Sequence, residues 1–223
     1  MLVAEATALG IVTGIRGSFR YRAAVCHGAY AHSGATPRAQ RRDSVRAVAR
    51  LITAMDDLWQ RHAAMGSDLT VTFGQVSTDP LEAAFSKVAG KVTFALDVRS
   101  AEPETLSAVD AALADLIRDI ENAEGVRFDL GPRSGSSPAQ MDPGLVAALG
   151  TAADDACIAT RVMACGAGHD AAVFAQMGVP TAMVFVRNEN GSHNPDEAMT
   201  LDDFAAGAAV VARIVANPPD LWP

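Results

Sequence analysis

Apolar and polar residues alternate along several stretches of the first half of the chain, and each alternation predicts a half-buried strand. Over residues 18–26, Phe19, Tyr21, Ala23 and Val25 share one face. Residues 68–76 alternate again. The pattern is clearest over 91–99, with Val92, Phe94, Leu96 and Val98 on one side, and 126–130 is a short final run. Between these runs the apolar spacing changes to three and four. Val45, Val48, Leu51, Ile52, Met55 and Leu58 form one helix stripe, and Leu106, Val109, Leu113, Leu116, Ile117 and Ile120 a second. Asp43 stands where a carboxylate favours a helix start. The order strand, helix, strand, strand, helix, strand is that of the split βαβ, or ferredoxin-like, unit. It predicts a sheet with both helices on one face and an open face carrying Thr93, Ala95, Asp97 and Arg99.

After Gly131 the stretch PRSGSSPAQMDPG predicts a linker, and the pattern then turns to α/β. A helix is expected near 144–156, a strand near 160–163, a helix after Gly168, a buried strand at 181–186, and a last helix carrying Leu201, Phe204, Ala208, Val211 and Val215. Two strands make no stable open sheet, so the apolar run LGIVTGI at 9–15 is the third candidate for it. The expected fold class is α/β plus α+β. A sheet domain built from 1–16 and 132–223, expected to be incomplete, is interrupted by an inserted domain at 17–131.

Composition changes this picture little. The chain has 223 residues, 49% of them apolar and 20% charged, as in soluble globular proteins. A net charge of −8 speaks against nucleic acid as a partner. The local cluster of Arg38, Arg41, Arg42, Arg46 and Arg50 is read as a solvated helix start. Cys26, Cys157 and Cys165 are an odd, sparse set, which fits free thiols in a reducing compartment. The first residues lack the basic start of a secretory signal, Glu5 interrupts their apolar run, and no stretch is long enough to span a bilayer. A cytoplasmic protein with no membrane partner is expected.

The candidate chemistry lies in turns. His169 and His193 flank the apolar run PTAMVFV in Gly-rich turns beside carboxylates, where α/β sheets hold their ligands. His193, followed by Asn194, Pro195, Asp196 and Glu197, suits a metal with carboxylates steadying the ring. It equally suits a cap on the turn before the last helix. His169 and Asp170 follow a Gly166-Ala167-Gly168 turn whose amides can face an anion, or whose glycines merely allow close packing. Cys165 with His169 forms a nucleophile and base lacking a third orienting group. His32 is either an electrophilic donor or a plain loop histidine. Arg99 either grips a carboxylate bidentately or pairs with Asp97.

Five motifs in order, LGIVTGIRG at 9–17, GAYAHSGATPRAQRRD at 28–43, VAGKVTFALDVRS at 88–100, GAGHDA at 166–171 and GSHNPDE at 191–197, resemble the hydantoinase/carbamoylase-type amidases. That group, within the aminoacylase-like metallopeptidase clan, holds N-carbamoyl-L-amino-acid hydrolases, allantoate amidohydrolases and β-alanine synthases. The resemblance implies a metallopeptidase-like catalytic domain interrupted by a lid that also forms the homodimer contact. The cofactor it implies is a binuclear centre of divalent metal, zinc or manganese, and the substrate a small carbamoyl or ureido amino acid. His193 matches the family's C-terminal metal ligand, and His32 the lid histidine that reaches the partner subunit's site to steady the tetrahedral intermediate. Arg99 matches the arginine that binds the substrate carboxylate, and Gly166, Gly168 and His169 a loop lining the pocket. Ser86 stands where the family has a substrate-binding Asn, and Ala89 where it favours Pro. The family's remaining metal ligands and its general-base glutamate lie upstream of the LGIVTGI strand. The resemblance therefore implies the downstream part of such an enzyme, inactive alone. The alternative is a non-catalytic dimerising module.

Overall fold

The structure, a computed structural model, describes residues 9–192 and 194–220. Its strands are β1 (Leu9–Ile15), β2 (Gly17–His27), β3 (Ala31–His32), β4 (Thr70–Thr78), β5 (Lys87–Val88), β6 (Lys91–Ser100), β7 (Arg127–Asp129), β8 (Arg133–Ser136), β9 (Ala139–Gln140), β10 (Thr160–Cys165) and β11 (Met183–Phe185). Its α-helices are α1 (Ser44–Ala64), α2 (Pro103–Glu124), α3 (Pro143–Asp154), α4 (Asp170–Gln176) and α5 (Leu201–Ala216). The fold is mixed α/β. The chain divides into two compact units, Gly17–Ser137 and the union of Met1–Arg16 with Pro138–Pro223.

In the Gly17–Ser137 unit the alternating segments become an antiparallel sheet of order β4-β6-β2-β7. Val92, Phe94, Leu96 and Val98 of β6 are buried in one core with Val48, Leu51 and Met55 of α1 and Val109 and Leu113 of α2. Burying each such side chain stabilises by about 1.5–3 kcal/mol. The alternate residues Thr93, Ala95, Asp97 and Arg99 are only partly covered. Asp43 caps α1, accepting from the amides of Val45 and Arg46 at 3.1 and 3.2 Å. Pro103 opens α2, and Gly125 closes it in the left-handed conformation at φ 63°.

Three expectations change here. A bulge after Tyr21 shifts the β2–β6 register, so Ala24 and Cys26, not Ala23 and Val25, join Phe19 and Tyr21 in the core. Residues 133–136, read as linker, form β8 and pair with Ser18 to Tyr21 of β2. They carry no alternating pattern because backbone pairing alone builds this strand. A Cβ on Gly135 would lie 2.1 Å from the Ser18 carbonyl oxygen, so only glycine fits. The arginines opening α1 are also not all solvated. Arg46 and Arg50 both hydrogen-bond the carboxylate of Glu124, which is buried at the end of α2. Burial works against that carboxylate's charge, but the two guanidinium groups prevail and hold it below the usual glutamate range.

In the other unit β1 pairs with β10 in parallel, and with β11 and β9 antiparallel. The run at 9–15 is thus the sheet's central strand, which is why it is apolar on both faces. Leu9 and Ile11 pack with Leu149, Ala152 and Ala153 of α3 and Val210 of α5. Val12 and Ile15 pack with Cys165 and Ala172 on the α4 side. Gly207 of α5 lets the helix approach Val186, where a Cβ would lie 2.8 Å from its Cγ2. Among the described residues no helix is long and apolar enough to cross a membrane.

Candidate functional site

Strand β10 ends at Cys165, whose thiol is buried and hydrogen-bonds the carbonyl of Ala167 at 3.2 Å. A buried sulfur turned back onto its own loop is poorly placed as a nucleophile. The turn at 166–169 follows. A Cβ on Gly166 would come no closer than 3.6 Å to Arg16 Nη1, and one on Gly168 would meet nothing within 4 Å. Close packing therefore does not demand these glycines. His169 is the N-cap of α4 without a side-chain cap bond, and its exposed ring packs on Phe185 of β11 at 5.7 Å. Contact with Phe185 brings the 166–169 turn beside the strand that leads into the second histidine loop.

That loop is held by its own asparagines. Asn188 Nδ2 donates to Glu197 Oε1 at 2.9 Å and to Ser192 Oγ at 3.1 Å, and Asn190 Nδ2 to the Asp196 carbonyl at 2.8 Å. Asn194 Nδ2 donates to the carbonyls of Asn190 and Gly191. Asn190 and Gly191 take positive φ, 64° and 75°, which Asn and Gly tolerate best. His193, the expected metal ligand, lies outside the described residues. Below the loop, Arg187 pairs with Asp203 at 2.5 Å. The Thr200 hydroxyl first, and Arg187 second, hold the Asp203 carboxyl below its usual range.

In the Gly17–Ser137 unit, His32 pairs with Lys87 across the β3–β5 ladder, and Ser33 N–H donates to the Ser86 carbonyl at 2.9 Å. Ser86 therefore lies beside the residue that follows His32. His32 Nδ1 accepts from the amides of both Gly34 and Ala35 at 3.1 Å. A neutral imidazole accepting at Nδ1 carries its proton on Nε2. A cavity of about 560 Å³ adjoins them, lined among others by Ser33, Arg41, Phe85 and Lys87.

Arg99 lies on β6, in the β4-β6-β2-β7 sheet and not in the β3–β5 pair. It pairs with Asp97 at 2.7 Å, and Arg20 takes the other oxygen of Asp97 at 3.1 Å. The Arg99–Asp97 pair was open in the sequence as one of two readings. Arg20 is a cross-strand partner that only the β2–β6 register reveals. Both guanidinium groups thus bond one carboxylate. His27 pairs with Lys91 at one end of β6, and Ser18 with Arg99 at the other. Eight residues of strand separate these ends, about 25 Å at the usual rise. The unit therefore does not bring His32 and Arg99 together. Among the described residues no group of three or more His, Cys, Asp and Glu is placed to hold a metal ion.

The sequence pattern of peptidase family M20/M25/M40 matches residues 6–217. The chain is 34% identical to the allantoate amidohydrolase of Escherichia coli (strain K12), over 96% of this chain and 51% of that protein. It is 32% identical to the N-carbamoyl-L-amino-acid amidohydrolase of Paenarthrobacter aurescens, again over 96% of this chain and 51% of the relative. Its structure superposes on an amidase of the hydantoinase/carbamoylase family from Burkholderia multivorans with a TM-score of 0.79 at 31% identity, over 91% of this chain and 48% of that one. The chain spans about half the length of the relatives it matches. With the family's pattern covering nearly all of it, the chain belongs to peptidase family M20/M25/M40.

Proposed function

We propose that this chain is the downstream part of a metal-dependent amidohydrolase that cleaves a linear C–N bond in an N-carbamoyl or ureido amino acid. The observation that carries the reading is His32. With Nδ1 satisfied by two amides, the ring offers Nε2–H, the donor that a developing oxyanion needs. Ser86 adds a hydroxyl beside it. Arg99 takes the substrate carboxylate through its guanidinium fork, exchanging its bond to Asp97 for the substrate. The turn at Gly166, Gly168 and His169 lines the pocket, and His193 supplies one metal ligand. The family's amidohydrolases depend on divalent metal, zinc or manganese in this reading. Among the described residues no cluster of three or more His, Cys, Asp and Glu is placed to hold an ion, and His193 is the one ligand position read on this chain.

The strand order β4-β6-β2-β7 with both helices on one face supports reading the Gly17–Ser137 unit as a ferredoxin-like lid. The separation of His32 from Arg99 supports a homodimer through it. A small substrate cannot span about 25 Å, so His32 of one copy serves the substrate held by Arg99 of the other. Incubation of the purified chain with zinc or manganese and N-carbamoyl amino acids or allantoate is the test. Amide shifts at Arg99 induced by the carboxylate, with no turnover, are expected. Appreciable turnover by the chain alone overturns the partial-enzyme reading, and the absence of any shift at Arg99 overturns the substrate assignment.

The second reading, a non-catalytic dimerising module, is favoured by β4, an edge strand whose later residues are exposed. It predicts dimers by light scattering without carboxylate binding.

A further inference from the structure

His32 alone does not decide which nitrogen bears its proton. The turn that follows does, and that turn is tied by a residue the catalytic reading has not used. Arg41 Nε donates to the Thr36 carbonyl at 2.8 Å, and its Nη2 hydrogen-bonds the Ser33 carbonyl. One guanidinium thereby spans both ends of the 33–36 turn. From inside the same turn Thr36 N–H donates to the His32 carbonyl at 3.1 Å, and the amides of Gly34 and Ala35 converge on Nδ1. The ring is exposed, so no packing enforces its orientation. Gly34 does not enforce it either, since its φ lies outside the left-handed region and a Cβ there would meet the ring at 3.6 Å, an ordinary contact.

We propose that Arg41 is a positioning residue. By clamping the Ser33 and Thr36 carbonyls it holds the turn in which two backbone amides lock His32 as the Nε2–H tautomer, a preset donor to an anionic oxygen. The fork matters because its nitrogens reach two carbonyls at once, which a single ammonium cannot do in the same geometry. This inference rests on the reading of His32 as an oxyanion donor. Its test does not.

Nitrogen-15 NMR of the imidazole rings of the full chain, at about pH 8 where an ordinary imidazole is neutral, reads the tautomer. Amide exchange at Gly34 and Ala35 reads the clamp. In the unaltered chain His32 is expected as one tautomer, with Nδ1 bare and both amides protected. Arg41→Ala should speed exchange of those two amides by roughly tenfold and mix the tautomers, with the amides of β6 unchanged. Arg41→Lys should restore part of the protection. Arg38→Ala, which removes a neighbouring charge without touching the turn, should change nothing. Protonation at Nδ1 in the unaltered chain, or an unchanged ring and turn in Arg41→Ala, overturns the proposal. Should Arg41→Ala fail to fold, His32→Ala decides. Exposed Gly34 and Ala35 amides beside an intact β6 support the lock, and retained protection overturns it. A chain that passes these tests yet neither binds nor hydrolyses a carbamoyl amino acid keeps the clamp and loses only the reaction it was read to serve.

Discussion

The two units of this chain spend their apolar residues differently. The Gly17–Ser137 unit gathers both helices and the sheet around one continuous core. The other unit splits its interior into two small clusters on either side of β1. It leaves Phe174 of α4 and Met177 just after it, Leu201, Phe204 and Val215 of α5, and Val162 of the edge strand β10 largely exposed. Stability therefore resides in the inserted unit, while the turns read as pocket lining belong to the less buried one.

The contrast can be broken most directly in the cores. Phe94→Ala, at a fully buried site, should cost about 4 kcal/mol in urea unfolding, whereas Phe185→Ala, at a half-buried site, should cost under about 2. Native-state hydrogen exchange should agree, with β6 amides protected far beyond those of β10 and β11. Equal costs or equal protection would erase the distinction between the units.

Next is the buried ion pair. Glu124→Gln should destabilise the inserted unit by about 2–3 kcal/mol by leaving Arg46 and Arg50 without their charge partner. Because the Glu124 carboxyl is held below its unfolded value, its contribution is full above about pH 4.3 and fades as the pH falls through the depressed value. The unaltered chain should therefore lose more stability than the variant on acidification, and parallel acid curves would refute the pairing. Smaller still, Gly168→Ala should change stability by less than about 0.5 kcal/mol, since its Cβ meets nothing within 4 Å. A marked loss of carboxylate binding in that variant would mark the turn as ligand-facing rather than structural. The gentlest probe is alkylation. Cys157 is exposed, Cys165 is buried, and burial pushes the Cys26 thiol up to about 11. Mass spectrometry after brief iodoacetamide treatment should find one modified thiol, Cys157.

The main elements were legible because their periodicity is strong. The alternation at 91–99 became β6, and the stripes from Val45 and Leu106 became α1 and α2. β8 was not legible, since Arg133, Ser134, Gly135 and Ser136 are chosen for a close backbone approach and have no period. The site divides along the same line. Asp97 lies two residues from Arg99, so that pair can be read from strand alternation, whereas Arg20 enters through a register and Arg41 through the shape of a turn. Such partners are fixed by tertiary geometry, and only residue types, not their pairing, are written locally.

The places where the chain passes between the units carry a practical consequence. Ile15 pairs with Ala139 on one side of the passage, and Ser18 with Ser136 on the other. Exit and return thus occur at a single doorway, with neighbouring strands on each side of it. A short reverse turn joining positions 15 and 139 would close the sheet of β1, β9, β10 and β11 without stretching it. The excised segment would carry its two ends side by side, the arrangement that makes an insertion portable between hosts.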